Sequence, residues 1–168
     1  AQTFTVFPQG AGDFITYLGA LSNEQVFGAK LSPYLVTGGR PIVTAWTSLM
    51  SMQTGQPLLF CESGQLTAER TAGTTALAID HLALEASRHL ALIGAGALGQ
   101  VHLRHVLPIR NWESISVYAD DLAGNPQIQS RLKALDSRVQ ISGSAKQCVS
   151  QADVVMLCTS SATPVLNL

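Results

Sequence analysis

The clearest chemical signal in this sequence is Gly94-Ala95-Gly96-Ala97-Leu98-Gly99. It follows the apolar segment His89–Ile93, which has strand character, and opens Ala97–Leu107, which has helical spacing and stops before Pro108. A G-x-G-x-x-G run at a strand-to-helix junction is the dinucleotide-binding fingerprint. Gly94 permits a tight turn, Gly96 lets the backbone approach a pyrophosphate, and Gly99 lets the helix pack on the strand. Ala97 and Leu98 begin the helix, where N–H groups without intrahelical partners offer a partial positive charge to phosphates. The next strand, Ser114–Tyr118, leads into Ala119-Asp120-Asp121. A carboxylate there would accept hydrogen bonds from the adenosine ribose and repel a 2′-phosphate. No Arg or Lys follows before Arg131, so Asp120 points to NAD, with NADP the less favoured form. The alternative is that Asp120 and Asp121 only begin a turn.

These residues need a scaffold, and the spacing supplies one. After Leu66 the pattern becomes helical: Ala68, Ala72, Ala76, Ile79 and Ala83 recur at steps of three and four within Thr67–Glu85. Strand and helix signals then alternate: His89–Ile93, Ala97–Leu107, Ser114–Tyr118, Pro126–Leu135, Arg138–Ser142, Ala145–Gln151 and Asp153–Thr159. Such alternation predicts a parallel, doubly wound sheet. The first third reads differently. Phe4–Phe7, Phe14–Leu18, Val26–Ser32, Pro41–Met52 and Pro57–Cys61 are strand-like, with turn-rich Thr37-Gly38-Gly39-Arg40 and Gln53-Thr54-Gly55-Gln56 between them. Short strands joined by turns predict an antiparallel meander. The expected fold class is thus α/β: an antiparallel β region followed by a partial Rossmann-type parallel sheet. The expected divisions are 1–66, a connecting helix over 67–87, and a dinucleotide domain over 88–168.

Composition narrows the partners. Of 168 residues, 46% are hydrophobic and only 12% charged, with a net charge of −1. No basic stripe is present to hold a phosphate backbone, so nucleic acid is not an expected partner. The apolar runs are too short to span a bilayer, and Ala1–Gln9 lacks the pattern of a secretory signal, so no membrane partner is expected. Cys61, Cys148 and Cys158 are widely spaced, which fits reduced thiols in a cytoplasmic protein. His102 and His105 lie three apart, but no acidic or cysteine partner is placed for a metal, so a solvated helix face is the expectation.

Four further segments carry a resemblance. Leu66-Thr67-Ala68-Glu69-Arg70-Thr71-Ala72-Gly73 is similar to an LTALRTAA segment that precedes a nucleotide fold. Thr54-Gly55-Gln56-Pro57-Leu58-Leu59 is similar to a T-G-x-P-L strand turn, and Phe27-Gly28-Ala29-Lys30 to a G-x-K motif. Asp153–Val165 resembles a strand and loop bearing a cofactor-contacting threonine. In this order, across nearly the whole chain, they resemble the ornithine cyclodeaminase and mu-crystallin family.

That resemblance implies roles. Lys30 would bind the substrate carboxylate or assist at the imine. Arg70 would clamp the same carboxylate, as a planar guanidinium suits, so that the ligand bridges both halves, and it would also contact the cofactor. Thr71 would face the cofactor phosphates and Thr159 would line the cofactor site. Read without the family, Arg70 is a solvated arginine in the first turn of a helix beginning near Thr67, and Lys30 is a lysine on an edge strand. The implied activity is NAD-dependent dehydrogenation of an amino acid or reduction of an imine (ketimine). Ornithine cyclodeamination, a lyase reaction forming proline and ammonia, is one alternative; a non-catalytic dinucleotide-binding protein is another. A homodimer through the β region is implied too. Three departures bear on substrate and cofactor. Phe7-Pro8-Gln9 stands where the family often has an arginine, the loop after Lys30 is shorter, and the acid after Tyr118 comes one residue late, behind Ala119. The family's N-terminal helix and C-terminal part have no counterpart, so the chain is expected to be a fragment, inactive by itself.

Overall fold

A computed structural model describes every residue except Arg40, Ala162, Asn167 and Leu168. The parts of the Thr37–Arg40, Asp153–Val165 and 88–168 expectations that fall on those four lie outside the described residues. The chain forms two compact units, Ala1–Thr67 and Ala68–Leu168. The fold is α/β, with one antiparallel and one parallel sheet.

The first unit is the antiparallel sheet. Its strands are β1 (Gln2–Val6), β2 (Gly12–Leu21), β3 (Val26–Leu35), β4 (Ile42–Val43), β5 (Trp46–Ser51) and β6 (Pro57–Glu62). They run in the order β1-β2-β3-β5-β6, with β4 also paired to β3. The predicted Pro41–Met52 strand is two strands, because the chain turns in at Ala45. That residue is buried, and its carbonyl accepts the Ser63 N–H at 2.7 Å. Lys30 is not on an edge strand: β3 lies between β2 and β5.

The helix α1 spans Gly64–Leu82 and buries Ala72, Ala76 and Ile79 of the expected stripe. It starts earlier than predicted because the Glu62 carboxylate accepts the Gly64 N–H at 2.8 Å and the Ser63 carbonyl accepts the Thr67 N–H at 2.9 Å. Arg70 therefore sits in the second turn, not the first. The far end of α1 is held by Arg110. Its guanidinium donates to the carbonyls of Asp80 at 2.8 Å and Ala83 at 3.2 Å, which have no helical partner there.

The parallel sheet holds β7 (His89–Ile93), β8 (Ser114–Tyr118), β9 (Val139–Ile141) and β10 (Val154–Leu157), in the order β10-β7-β8-β9. Helices α2 (Ala97–Val106), α3 (Pro126–Leu135) and α4 (Ala145–Val149) connect them. Capping fixes the short helices: the Asn125 side chain accepts the Ile128 N–H, and the Ser144 hydroxyl accepts the Gln147 N–H. Leu107-Pro108-Ile109 tightens into a 3-10 turn after α2, since Pro108 cannot continue the helix. The core gathers Leu90, Leu92, Leu103, Val106, Trp112, Ile115, Val117 and Leu132.

The N-terminal ends of β7 and β10 are tied by one carboxylate. Asp153 Oδ2 accepts the N–H groups of Arg88 at 2.7 Å and His89 at 2.9 Å. These donors hold the Asp153 carboxyl below its usual range. Its contribution to stability is present above the unfolded value of about 4 and is lost as pH falls through the lowered folded value. Asp153→Asn should melt at a lower temperature at pH 7, and the gap from the parent should narrow as pH drops toward 3 in a calorimetric series. A gap that is constant with pH would assign the loss to something other than the charged carboxylate.

Candidate functional site

The glycine run links β7 to α2 at the C-terminal ends of the strands. Gly94 has φ +101°, a left-handed value that favours glycine. It is wedged between both neighbours of β7: its N–H donates to the Tyr118 carbonyl at 2.8 Å, and a side-chain carbon would run into the Cys158 carbonyl. Gly99, in the first turn of α2, passes so close to the Gly94 carbonyl that a Cβ there would collide with it. Gly96 is different. It is the N-cap of α2 in extended conformation, and a Cβ would meet nothing within 4 Å. No side chain caps this ten-residue helix. Among the described residues, no side chain caps the first turn at Ala97 and Leu98, and the space beside Gly96 is open, as a pyrophosphate cradle requires.

Two other expected residues stand at the same edge of the sheet. Asp120 follows β8 and is exposed; its Oδ1 accepts the Tyr118 hydroxyl at 2.7 Å. This bond pushes the Tyr118 phenol above its ordinary value and fixes one carboxylate oxygen, and the carboxylate has a second oxygen for a ribose hydroxyl. Thr159 follows β10, and its backbone nitrogen would lie 2.9 Å from a Cβ on Gly94. Its hydroxyl accepts the Ser161 N–H at 3.1 Å. The structure thus brings Gly94, Gly96, Ala97, Leu98, Gly99, Asp120 and Thr159 to one end of the parallel sheet. Cys158 adjoins the run, and burial pushes its thiol up, so it is a neutral packing group there.

Arg70 is exposed and Thr71 half-buried on α1. Their neighbour Glu69 was not singled out in the sequence, yet it ties α1 to α2. It pairs with Arg104 and accepts a bond from His105 Nε2 at 2.7 Å. These two partners hold the Glu69 carboxyl below its ordinary value, His105 contributing most. The expectation of a solvated histidine face fails for His102, which is buried with its Nδ1 at 2.8 Å from the Leu98 carbonyl. The reason is packing: α2 buries Gly99, His102, Leu103 and Val106 along one side. Among the described residues, no cluster of three His, Cys, Asp or Glu side chains could hold a metal ion, and no helix is long and apolar enough to cross a membrane.

In the antiparallel unit, Lys30 is half-buried at the middle of β3, opposite Tyr17 on β2 and Thr47 on β5. The G-x-K spacing has a local cause. A Cβ on Gly28 would strike the Ser48 carbonyl, so glycine allows β3 and β5 to lie close one pleat before Lys30. Reasoning from sequence missed Tyr17 as a neighbour of Lys30. The signal was the hairpin turn between Leu21 and Val26, which sets their pairing.

The model of the ornithine cyclodeaminase/mu-crystallin family matches residues 16–167. The NAD(P)H-dependent anabolic L-arginine dehydrogenase DauB of Pseudomonas aeruginosa is 50% identical over 167 residues, covering 99% of this chain and 52% of its own length. A probable ornithine cyclodeaminase from Bordetella pertussis Tohama I superposes with a TM-score of 0.79 at 28% identity, over 98% of this chain and 52% of that one. The Thermococcus litoralis Delta(1)-pyrroline-2-carboxylate reductase, solved with NADH and L-proline, superposes with a TM-score of 0.86 at 24% identity, again over 98% and 52%. The last likeness shows the fold alone. The chain spans about half the length of these relatives.

The three glycines predict two separable defects. Gly94→Ala must move the Cys158 backbone and hold alanine at positive φ, so melting should drop by roughly 5–15 °C. Gly96→Val adds a Cβ that meets no described atom within 4 Å and should keep the melting point within a few degrees, while NADH binding followed by fluorescence titration disappears. Retained binding in Gly96→Val would show that the cradle is not the dinucleotide site.

Proposed function

The chain belongs to the ornithine cyclodeaminase/mu-crystallin family, and from that premise we propose that it is the cofactor-binding and substrate-contacting part of an NAD-dependent amino-acid dehydrogenase or imine reductase. One observation carries the cofactor half of this reading. The backbone of Gly94–Gly99 forms an open, uncapped cradle at a helix N-terminus beside the Asp120 carboxylate. The reaction class rests on the 50% identity with an arginine dehydrogenase.

The residues divide the work. The Ala97 and Leu98 N–H groups bind the pyrophosphate, and the Gly96 position stays open for it. Asp120 accepts from the ribose and disfavours a 2′-phosphate, which supports NAD over NADP. Thr71 and Thr159 complete the cofactor contacts. Arg70 and Lys30 take the substrate carboxylate, leaving the carbon that bears the amino or imino group toward the nicotinamide. The bound nicotinamide supplies or accepts the hydride at that carbon. The substrate is a small amino or imino acid. A cyclodeaminase reading is favoured by the likeness to the Bordetella protein; it differs in outcome, since that reaction returns the cofactor to its starting state. Two cations kept at Lys30 and Arg70 weigh against a purely non-catalytic nucleotide binder.

The reading extends to assembly and place. Phe4, Val6, Leu21, Leu58 and Phe60 of the antiparallel unit are more than half exposed, which supports a symmetric homodimer formed through it. Free thiols at Cys61, Cys148 and Cys158 support a cytoplasmic setting.

The decisive test uses the protein as its gene encodes it, with L-arginine, L-ornithine and cyclic imino acids as a panel and the nicotinamide absorbance as readout. Net NADH turnover is expected on at least one of them, and tighter binding of NADH than of NADPH. Ammonia release from ornithine with no net NADH change would move the assignment to the cyclodeaminase. Arg70→Lys keeps the charge but loses the two parallel donors, so substrate affinity should weaken by about 1.5–3 kcal/mol with cofactor affinity little changed. Unchanged substrate affinity in Arg70→Lys and Arg70→Ala alike would remove Arg70 from the site.

A further inference from the structure

We infer that Tyr118 is a positioning residue for the cofactor: its hydroxyl holds the Asp120 carboxylate toward the adenosine ribose and so sets the preference for NADH over NADPH. This rests on the reading of Asp120 as the ribose acceptor beside the Gly94–Gly99 cradle.

Tyr118 ends β8 and is engaged at three points. In the parallel register it lies beside Ile93, the residue before the glycine run. Its carbonyl accepts the Gly94 N–H at 2.8 Å. Its ring packs against the smaller core cluster of Ala91, Ile93, Ala145 and Cys148, which joins β7 to α4. Its hydroxyl donates to Asp120 Oδ1 at 2.7 Å. One residue therefore grips the first glycine of the cradle with its backbone and the candidate ribose acid with its side chain. Asp120 itself is exposed, in the turn that follows β8 behind Ala119. The packed ring thus carries a fixed donor out to a carboxylate on a surface turn.

The chemistry of the pair favours orientation of the acid. A side chain on an exposed turn has several rotamers, and freezing it when a ligand binds costs affinity. A donor that holds one carboxylate oxygen beforehand reduces that cost, and the second oxygen can accept from a ribose hydroxyl. An Arg or Lys in the same place would orient the acid too, but it would offset the negative charge and attract a 2′-phosphate. A phenol is a neutral donor, and donation to the carboxylate pushes its pKa further up. The acid therefore keeps its full charge against a 2′-phosphate. Because the Gly94 N–H and the Asp120 carboxylate are both bonded to Tyr118, the spacing between cradle and acid is set by one residue.

The experiment titrates NADH and NADPH separately into the protein as its gene encodes it, and reads both dissociation constants by fluorescence. The variants are Tyr118→Phe, Asp120→Ala, the Tyr118→Phe/Asp120→Ala pair, and 4-aminophenylalanine at position 118. Tyr118→Phe keeps the ring that packs in the cluster and removes only the donor. It should weaken NADH binding about twofold to tenfold, the size of ordering one side chain on binding, and NADPH binding less, so the preference for NADH narrows. The amino-substituted ring restores an N–H donor and should move the preference back toward the parent. In the Asp120→Ala background, Tyr118→Phe should add nothing. A parent with no preference for NADH, or Asp120→Ala leaving the preference unchanged, would sink the Asp120 assignment itself, and with it this inference. Asp120→Ala narrowing the preference while Tyr118→Phe leaves it intact would overturn the Tyr118 role alone. Equal weakening of both cofactors by Tyr118→Phe, an effect that persists in the Asp120→Ala background, or an amino-substituted ring no better than phenylalanine would make the hydroxyl a structural group and overturn the role as well. Tighter NADH binding in Tyr118→Phe would show the phenol competing with the ribose for the carboxylate, which also overturns it.

Discussion

At the C-terminal edge of the parallel sheet, three strand ends meet at a backbone with no room for a side chain. The Gly94 N–H reaches the Tyr118 carbonyl of β8, the Cys158 N–H reaches the Ile93 carbonyl, and the Cys158 carbonyl fills the place of a Gly94 side chain. This convergence aims the chain into α2. It also sets Gly99 against the Gly94 carbonyl, which brings the start of the helix down onto the loop. Asp120 and Thr159 stand beside the cradle because they follow the two strands that flank β7. The cofactor half of the site is thus a consequence of one crowded crossing. Its chemistry, an anion-seeking helix end beside an acid, needs only backbone and one carboxylate.

Much of the parallel unit was legible because its signals are local. His89–Ile93 runs into Gly94 and Pro126–Leu135 follows Asn125, and the periods of these segments and of Ser114–Tyr118 differ clearly between strand and helix. Where the reading slipped, a cap or a distant group intervened. The start of α1 moved to Gly64 because Glu62 caps it, and the strand expected at Pro41–Met52 broke where the Ala45 carbonyl meets Ser63. His102 looked like a surface histidine because its burial depends on which side of α2 packs, and only the assembled core decides that. The family segments identified Lys30 and Arg70 as residues of interest, but neither position has a local pattern that would mark it.

The antiparallel unit shows a different limit. Its strands could be found from composition, but the neighbours of Lys30 depend on pairing. A shift of one residue would have put every side chain of β2 on the other face. The turn between Leu21 and Val26 removes that freedom and places Tyr17 opposite Lys30. Lys30 on an internal strand is also informative. Lysine at an edge discourages strand addition, but β3 has both edges paired, so that explanation is lost. A half-buried cation at a sheet centre calls for a compensating group, and the Tyr17 ring supplies one.

The polar ties within the parallel unit are unequal, and their exposure ranks them. The Arg104–Glu69 pair has side chains 52% and 31% exposed, where water screens the attraction, so an isolated pair contributes little. Arg110 is only 10% exposed and meets several carbonyls at the end of α1 as well as Asp80. Two of them, on Asp80 and Ala83, meet no backbone N–H at the helix end, and a buried acceptor left unmet costs about 1–3 kcal/mol. The guanidinium fits them because its donors fan out in a plane, whereas a lysine would reach one or two. The end of α1 is therefore held mainly by Arg110, through backbone satisfaction more than through its ion pair. The Glu69 link has a different value. It joins α1, at the residue next to Arg70, to the last turn of α2, the helix whose first turn forms the cradle. Its weight lies in fixing the orientation of two helices that carry candidate site residues, not in the energy of the pair.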